Sequence, residues 1–287
     1  MIAAQRKEMA FDDGSMSYLE WEADAPVLHF AHATGFNAET YRGLLQPLAG
    51  KFHIFAADLR GHGFSTLRAV PEELTSWDVH GADLTLFLSR ITDRPAVLSG
   101  HSMGSIASLM VGARRPELVR ALILAEPVLV PAEAPAPTAE QPPRPNLVEM
   151  AARRRQVFAS FDDALDRYRG RGAFATWPEE TLIDYLHGGL VSTGNGTEVR
   201  LACTGEWEAR TFQNSPPGIA RLAADVRCPL ALLHAGAGAL DGTARPAEIA
   251  TVVRLKPDAK IVSVPDTSHF LPMEKPEAVQ AEILAFA

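Results

Sequence analysis

A chain of 287 residues, 47% of them hydrophobic, has room for one large α/β domain or for a core carrying an inserted subdomain, with a sizeable buried interior in either case. Its formal net charge of -8 excludes nucleic acid and anionic membrane as main partners, because both require clustered Lys and Arg. Two cysteines, Cys203 and Cys228, are too few for a disulfide framework and read as reduced thiols, and no run has the length of a signal peptide or a spanning helix, so a cytoplasmic protein is expected.

In chain order, the segment from Met9 to Glu22 alternates around Asp12-Asp13-Gly14-Ser15 and predicts an antiparallel hairpin. Short apolar runs follow at Val27 to Ala31, Ile54 to Ala57, Ala96 to Ser99 and Ala121 to Ala125, and the pattern returns at Leu230 to Leu233 and Ile261 to Val264. Near-continuous hydrophobicity implies burial on both faces, the mark of parallel strands between helical layers. Trp77, His80, Leu84, Phe87 and Ile91 recur at helical spacing, as do Val279, Ile283 and Phe286. Between Glu126 and Leu230 the alternation stops. Pro131 to Pro145 reads as a semi-rigid linker, Val148 to Tyr168 and Glu179 to Leu190 as helical stretches, Arg153-Arg154-Arg155 as a solvated helix face, and Gly194-Asn195-Gly196 as a turn before Trp207 and Phe212. The expected organisation is a core of residues 1–127 and 225–287 with a mainly helical cap, 128–224, inserted over one sheet edge.

The most informative motif is Gly100-His101-Ser102-Met103-Gly104, a G-x-S-x-G string with a strand before it and helical spacing after it at Met103, Ile106, Ala107 and Met110. A sharp strand-to-helix turn holds Ser102 in a strained backbone conformation at the sheet edge, and the flanking glycines relieve the crowding. The free N–H groups that open the following helix suit a developing oxyanion. A serine hydroxyl needs a neutral base within reach, and His269, in the loop Pro265-Asp266-Thr267-Ser268 after the last strand, is the candidate among nine histidines. His29, His53, His62, His80, His187 and His234 read as structural, and His101 should point away from the nucleophile.

With His32-Ala33-Thr34-Gly35 after the third strand, Asp58-Leu59-Arg60-Gly61-His62-Gly63 after the fourth, the Ser102 elbow and Ser268-His269-Phe270 near the end, the chain resembles the α/β-hydrolase superfamily. The resemblance implies a mostly parallel eight-stranded sheet with helices on both faces, and a triad in the order Ser, acid, His. It also implies oxyanion donors at the backbone of Thr34 and Met103, a bracing role for His32, and loop-organising roles for Asp58 and Arg60. The usual acid position after the seventh strand falls on Gly238, with Asp241 three residues later. Some haloalkane dehalogenases carry the acid at the end of the sixth strand, where this chain has Glu126; a Glu ending an apolar strand is expensive to bury without a partner, so Glu126 is the first choice and Asp241 the second. Dehalogenases use Asp as nucleophile, so Ser102 excludes that chemistry.

No Walker string, dinucleotide fingerprint or paired ligand spacing is present, and no cofactor or metal is expected. His32, Leu186, Trp207 and Phe270 are candidates for a largely apolar substrate pocket. The expected activity is hydrolysis of a small or medium carboxylic ester or lactone through an acyl-enzyme. Carbon–carbon bond hydrolysis or perhydrolysis on the same triad, and a hydrolase-fold ligand receptor with little turnover, stand as alternatives. The oligomeric state is open.

Overall fold

The computed structural model describes residues 2–132, 146–236 and 246–287. The chain begins with a hairpin, β1 (Gln5–Phe11) and β2 (Gly14–Trp21), and continues through β3 (Val27–Ala31), a short helix α1 (Arg42–Leu45), β4 (His53–Ala57), α2 (Asp78–Ile91), β5 (Ala96–His101), α3 (Met103–Arg114) and β6 (Val119–Ala125). The segment between β6 and the next core strand holds α4 (Leu147–Ala152), β7 (Val157–Phe158), α5 (Phe161–Tyr168), α6 (Glu179–Gly189), β8 (Leu190–Ser192), β9 (Val199–Leu201) and α7 (Gly205–Gln213). The core resumes with β10 (Leu230–Ala235), α8 (Pro246–Leu255), β11 (Lys260–Val264), α9 (Leu271–Glu274) and α10 (Pro276–Leu284).

Eight strands form one sheet in the order β1-β2-β4-β3-β5-β6-β10-β11. The hairpin and its junction with β4 are antiparallel and every other pairing is parallel. The central strands are buried on both faces because their side chains alternate between two apolar layers: Val97, Ala121 and Ile123 join one, and Leu98, Leu122 and Leu124 the other. Helices α2, α3 and α8 cover the second layer through Leu84, Leu88, Ile106, Leu109 and Val252; α1 and α10 cover the first through Leu44, Leu45, Val279 and Ile283. All these parallel strands run toward one sheet edge, so the loops after β3, β5, β6 and β11 meet there. Among the described residues no helix is long and apolar enough to cross a membrane.

The described part of the segment between β6 and β10 is mainly helical, and it also carries a small three-stranded antiparallel sheet in the order β7-β9-β8 that the sequence reading does not contain. The helix predicted over Val148 to Tyr168 ends at Ala152, and Val157 and Phe158, a β-branched and an aromatic residue, pair with Arg200 and Val199 instead. Ser160 then caps a fresh helix by accepting from the Asp163 N–H. Gly194 and Gly196, both at positive φ, make the turn between β8 and β9. The linker expected at Pro131 to Pro145 lies almost wholly outside the described residues. The segment is bonded to the core at several points: Asn37 Nδ2 donates to the Tyr185 carbonyl (2.9 Å), Trp77 Nε1 to the Thr211 carbonyl (2.9 Å) and Arg210 Nε to the Leu74 carbonyl (3.1 Å).

Arg154 is another correction: it is not on a solvated face. It is largely buried, donating to Tyr168 Oη (3.1 Å), to Glu208 Oε2 (3.0 Å) and to Tyr185 Oη. A buried guanidinium is tolerable when its charge is paired and its N–H groups are occupied, and Glu208 with two phenols supplies that.

Four core histidines carry a consequence for stability. Burial holds His29, His62 and His80 down at about 3 and His32 at about 4, so all four rings are neutral in the fold. Unfolded, each returns to the usual value of about 6.5, and below that pH the unfolded chain binds the extra protons. Stability is therefore full above about pH 6.5 and is lost as pH falls toward the folded values, by about 1.4 kcal/mol per ring per pH unit. Urea midpoints are expected to drop steeply between pH 7 and pH 5.5. A midpoint flat over that interval would show that the rings are not buried neutral.

Candidate active site

The elbow forms because β5 runs straight into α3 with no loop between them. Ser102 sits at φ 55, ψ -116, a conformation costing about 1–3 kcal/mol, and the surroundings must hold it there. A Cβ at Gly100 would run into the Gly104 carbonyl carbon at 2.5 Å, and one at Gly104 into the Ala31 carbonyl, which explains the small residues on both sides. The Ser102 N–H donates to Ala125 O (3.0 Å), while Ser105 Oγ lies 2.7 Å from Gly100 O and 2.9 Å from Ala125 O. These bonds fasten the turn to the end of β6, where Glu126 begins.

The structure brings Ser102, His269 and Glu126 into one hydrogen-bonded chain: Ser102 Oγ is 3.1 Å from His269 Nε2, and His269 Nδ1 is 3.2 Å from Glu126 Oε2. For the serine hydroxyl to donate to Nε2, the ring proton must sit on Nδ1, facing the carboxylate. Glu126 is fully buried, its N–H donates to Leu233 O (2.8 Å), and its Oε1 accepts from the Ala235 N–H. A carboxylate at this depth is tolerated because its oxygens have donors. Three non-glycine residues of the described chain have positive φ, namely Ser102, Glu126 and Asp266; two belong to this hydrogen-bonded chain and the third lies three residues before His269. Such strain gathers where geometry is fixed by the surroundings. Asp241 lies outside the described residues.

In the loop after β3 most backbone N–H groups are engaged. Ala33 N–H donates to Tyr41 Oη (3.1 Å), Gly35 N–H to His62 Nε2 (3.0 Å) and Phe36 N–H to Ala33 O (3.1 Å), whereas Thr34 N–H has no acceptor among the described residues. Met103, first residue of α3, likewise has an N–H with no protein acceptor among the described residues. The sequence-derived pair is thus unengaged. His32, offered as a pocket residue, is instead a brace: fully buried, it donates from Nδ1 to Ala33 O (2.7 Å) and accepts at Nε2 from the Leu59 N–H (2.8 Å). Asp58 accepts from the Ala38 (2.8 Å) and Phe64 (3.0 Å) N–H groups and Arg60 forks onto Asp83, which fits loop organisation.

Phe270 packs against Trp177 (ring centroids 5.6 Å apart) and Phe36 (6.2 Å), and Phe36 meets Tyr185 at 5.6 Å, giving an aromatic wall beside His269. Leu186 belongs to the buried apolar cluster, and Trp207 clusters with Leu74 and Cys203, its indole against Gly61. Sequence reasoning missed Phe36 and Tyr41 as neighbours of the site. It also did not foresee that the His101 ring, expected to point away from the nucleophile, lies 5.0 Å from that of His269. Among the described residues no group of three or more His, Cys, Asp or Glu side chains is placed to hold a metal ion.

The sequence profile of the alpha/beta hydrolase family matches residues 30–282. The chain belongs to the alpha/beta hydrolase family. This hydrolase is 24% identical over 268 residues to 2-(acetamidomethylene)succinate hydrolase of Mesorhizobium japonicum, covering 92% of this chain and 89% of the relative. It is 26% identical over 261 residues to N-formylmaleamate deformylase of Pseudomonas putida, covering 90% and 87%. The crystal structure of an E-2-(acetamidomethylene)succinate hydrolase superposes with a TM-score of 0.80 at 21% identity, covering 99% of each chain; at that identity the likeness speaks for the fold.

Proposed function

We propose that this hydrolase cleaves a small acyl compound, an ester or lactone in the first instance, through an acyl-enzyme on Ser102. The observation that carries the reading is the chain Ser102–His269–Glu126, at 3.1 Å and 3.2 Å, next to two unengaged backbone donors. His269 Nε2 takes the Ser102 proton as Oγ attacks the carbonyl, Glu126 stabilises the imidazolium, and the N–H groups of Thr34 and Met103 receive the oxyanion. The imidazolium then protonates the leaving group, and water repeats the sequence to release the acid. Residues 128–224 act as the cap, with Trp177 and Tyr185 closing an aromatic wall that excludes water and limits acyl length.

A second reading keeps the mechanism and changes the bond. The two relatives that span about nine-tenths of this chain are named for acetamido- or N-formyl-substituted carboxylic acids, so an N-acyl acid is a candidate substrate. A steady-state screen over p-nitrophenyl esters of increasing chain length, lactones, β-diketones and N-formyl or N-acetyl amino-unsaturated acids separates the readings. Ester activity is expected to peak at short to medium chains and fall steeply for long ones, and Trp177→Ala is expected to extend the accepted length. Turnover confined to the N-acyl acids would replace the ester reading with the second. One event per site and no more would replace both with a receptor.

A further inference from the structure

We infer that Tyr41 and His101 are positioning residues: a buried hydrogen-bond relay runs from the Ala33 N–H through Tyr41 Oη and the His101 ring to the His269 carbonyl, and holds oxyanion loop, elbow and base in one register. The inference rests on the proposed catalytic reading of Ser102, His269 and Thr34. Its distances are 3.1 Å from Ala33 N to Tyr41 Oη, 2.8 Å from Tyr41 Oη to His101 Nδ1 and 2.7 Å from His101 Nε2 to His269 O. Tyr41 and His101 are essentially without solvent exposure.

Every proton in the relay is assigned by elimination. Burial holds the His101 ring neutral, well below the usual histidine value, and burial raises the Tyr41 phenol, which keeps its proton. A carbonyl oxygen only accepts, so His101 Nε2 carries the hydrogen that faces His269 O. Nδ1 is then a bare acceptor, and the Tyr41 hydroxyl must donate to it. The Oη lone pair that remains accepts the Ala33 N–H. The relay has no spare donor, so removing either side chain orphans buried polar groups on both sides of it.

Its anchors give the relay its importance. Ala33 precedes Thr34, whose N–H is left for the oxyanion; His101 precedes Ser102; His269 is the base itself. Three segments widely separated in sequence meet at the sheet edge, and helix and strand packing alone leave loops free to shift by fractions of an ångström. Misplacement of reacting groups on the ångström scale costs orders of magnitude in rate. A relay of this kind changes the rate of attack by Ser102 and leaves substrate affinity, which rests on the aromatic wall, nearly untouched.

The test compares Tyr41→Phe, His101→Leu and His101→Gln with the wild type, by the rate at which a fluorophosphonate labels Ser102 and by kcat and KM on the best substrate of the screen. Glutamine places a donor three bonds beyond Cβ, as Nε2 is, and so keeps the link to the His269 carbonyl. Expected are losses of about tenfold or more in labelling rate and kcat for Tyr41→Phe and His101→Leu, with KM nearly constant, and recovery of most of the loss in His101→Gln. Wild-type labelling and kcat in folded Tyr41→Phe or His101→Leu protein would overturn the inference. Should those variants fail to fold, nitrogen-15 spectra of histidine-labelled wild-type protein decide: the relay requires a neutral His101 with its hydrogen on Nε2, and an Nδ1–H tautomer overturns it. A wild type that is not labelled at Ser102 at all defeats the catalytic reading instead, and the tautomer still reports on the relay.

Discussion

Replacing Ser102 with Ala is expected to lower kcat by about a millionfold, to a residue supplied by binding and the oxyanion donors alone, and to abolish labelling by a serine-directed fluorophosphonate at neutral pH. The expectation rests on how the nearby hydroxyls are used. Ser99 Oγ donates to Ile123 O (2.9 Å), Ser108 Oγ to Ser99 O (3.4 Å) and Ser105 Oγ to the Gly100 and Ala125 carbonyls, and all three residues are fully buried. Ser102 Oγ alone among them faces an imidazole nitrogen. Alanine keeps the Cβ and meets the same backbone strain, so the thermal midpoint should move little and the loss reads as chemistry. Labelling of a different serine, or hydrolysis persisting in purified Ser102→Ala protein, would remove the nucleophile from its proposed place.

The parts of this architecture visible in the sequence are those in which one segment declares itself. β3 spans the predicted Val27 to Ala31, β6 contains the predicted Ala121 to Ala125, and α2 follows the apolar spacing from His80 to Ile91, because burial on two faces or on one stripe leaves a local periodicity. The elbow was legible for the same reason: strand, turn and helix are contiguous. Strands β7 to β9 were not, since runs of two or three residues are shorter than any period that would mark them. Arg154 deceived by composition, as its partners Tyr168, Tyr185 and Glu208 lie on three other elements. His101 was read only as pointing away from the nucleophile; it is the last residue of β5, and its partners, Tyr41 and the His269 carbonyl, lie on segments far off in sequence. Long-range pairings of this type are fixed by topology and leave no spacing to read.

Glu126 tests whether such topology was read correctly, and Glu126→Gln is expected to lower kcat by about ten-thousandfold with the fold intact. The carboxylate has a donor on Oε1, the Ala235 N–H, and the His269 ring on Oε2. In the amide the oxygen must take the Ala235 side, since an NH2 there would face another N–H. The NH2 group then points at His269 Nδ1, which can answer only as an acceptor, so the ring proton moves to Nε2 and confronts the Ser102 hydroxyl. The base is in the wrong tautomer, and the imidazolium formed during attack also loses its counter-charge. Histidine-selective nitrogen-15 spectra should show the Nδ1–H tautomer of His269 in the wild type and its Nε2–H tautomer in the variant, while Asp241→Asn should leave both spectrum and kcat close to wild type. If Asp241→Asn causes the large loss and Glu126→Gln the small one, the acid belongs after the seventh core strand and Glu126 serves only to tie the Ala235 N–H and the His269 ring to the end of β6.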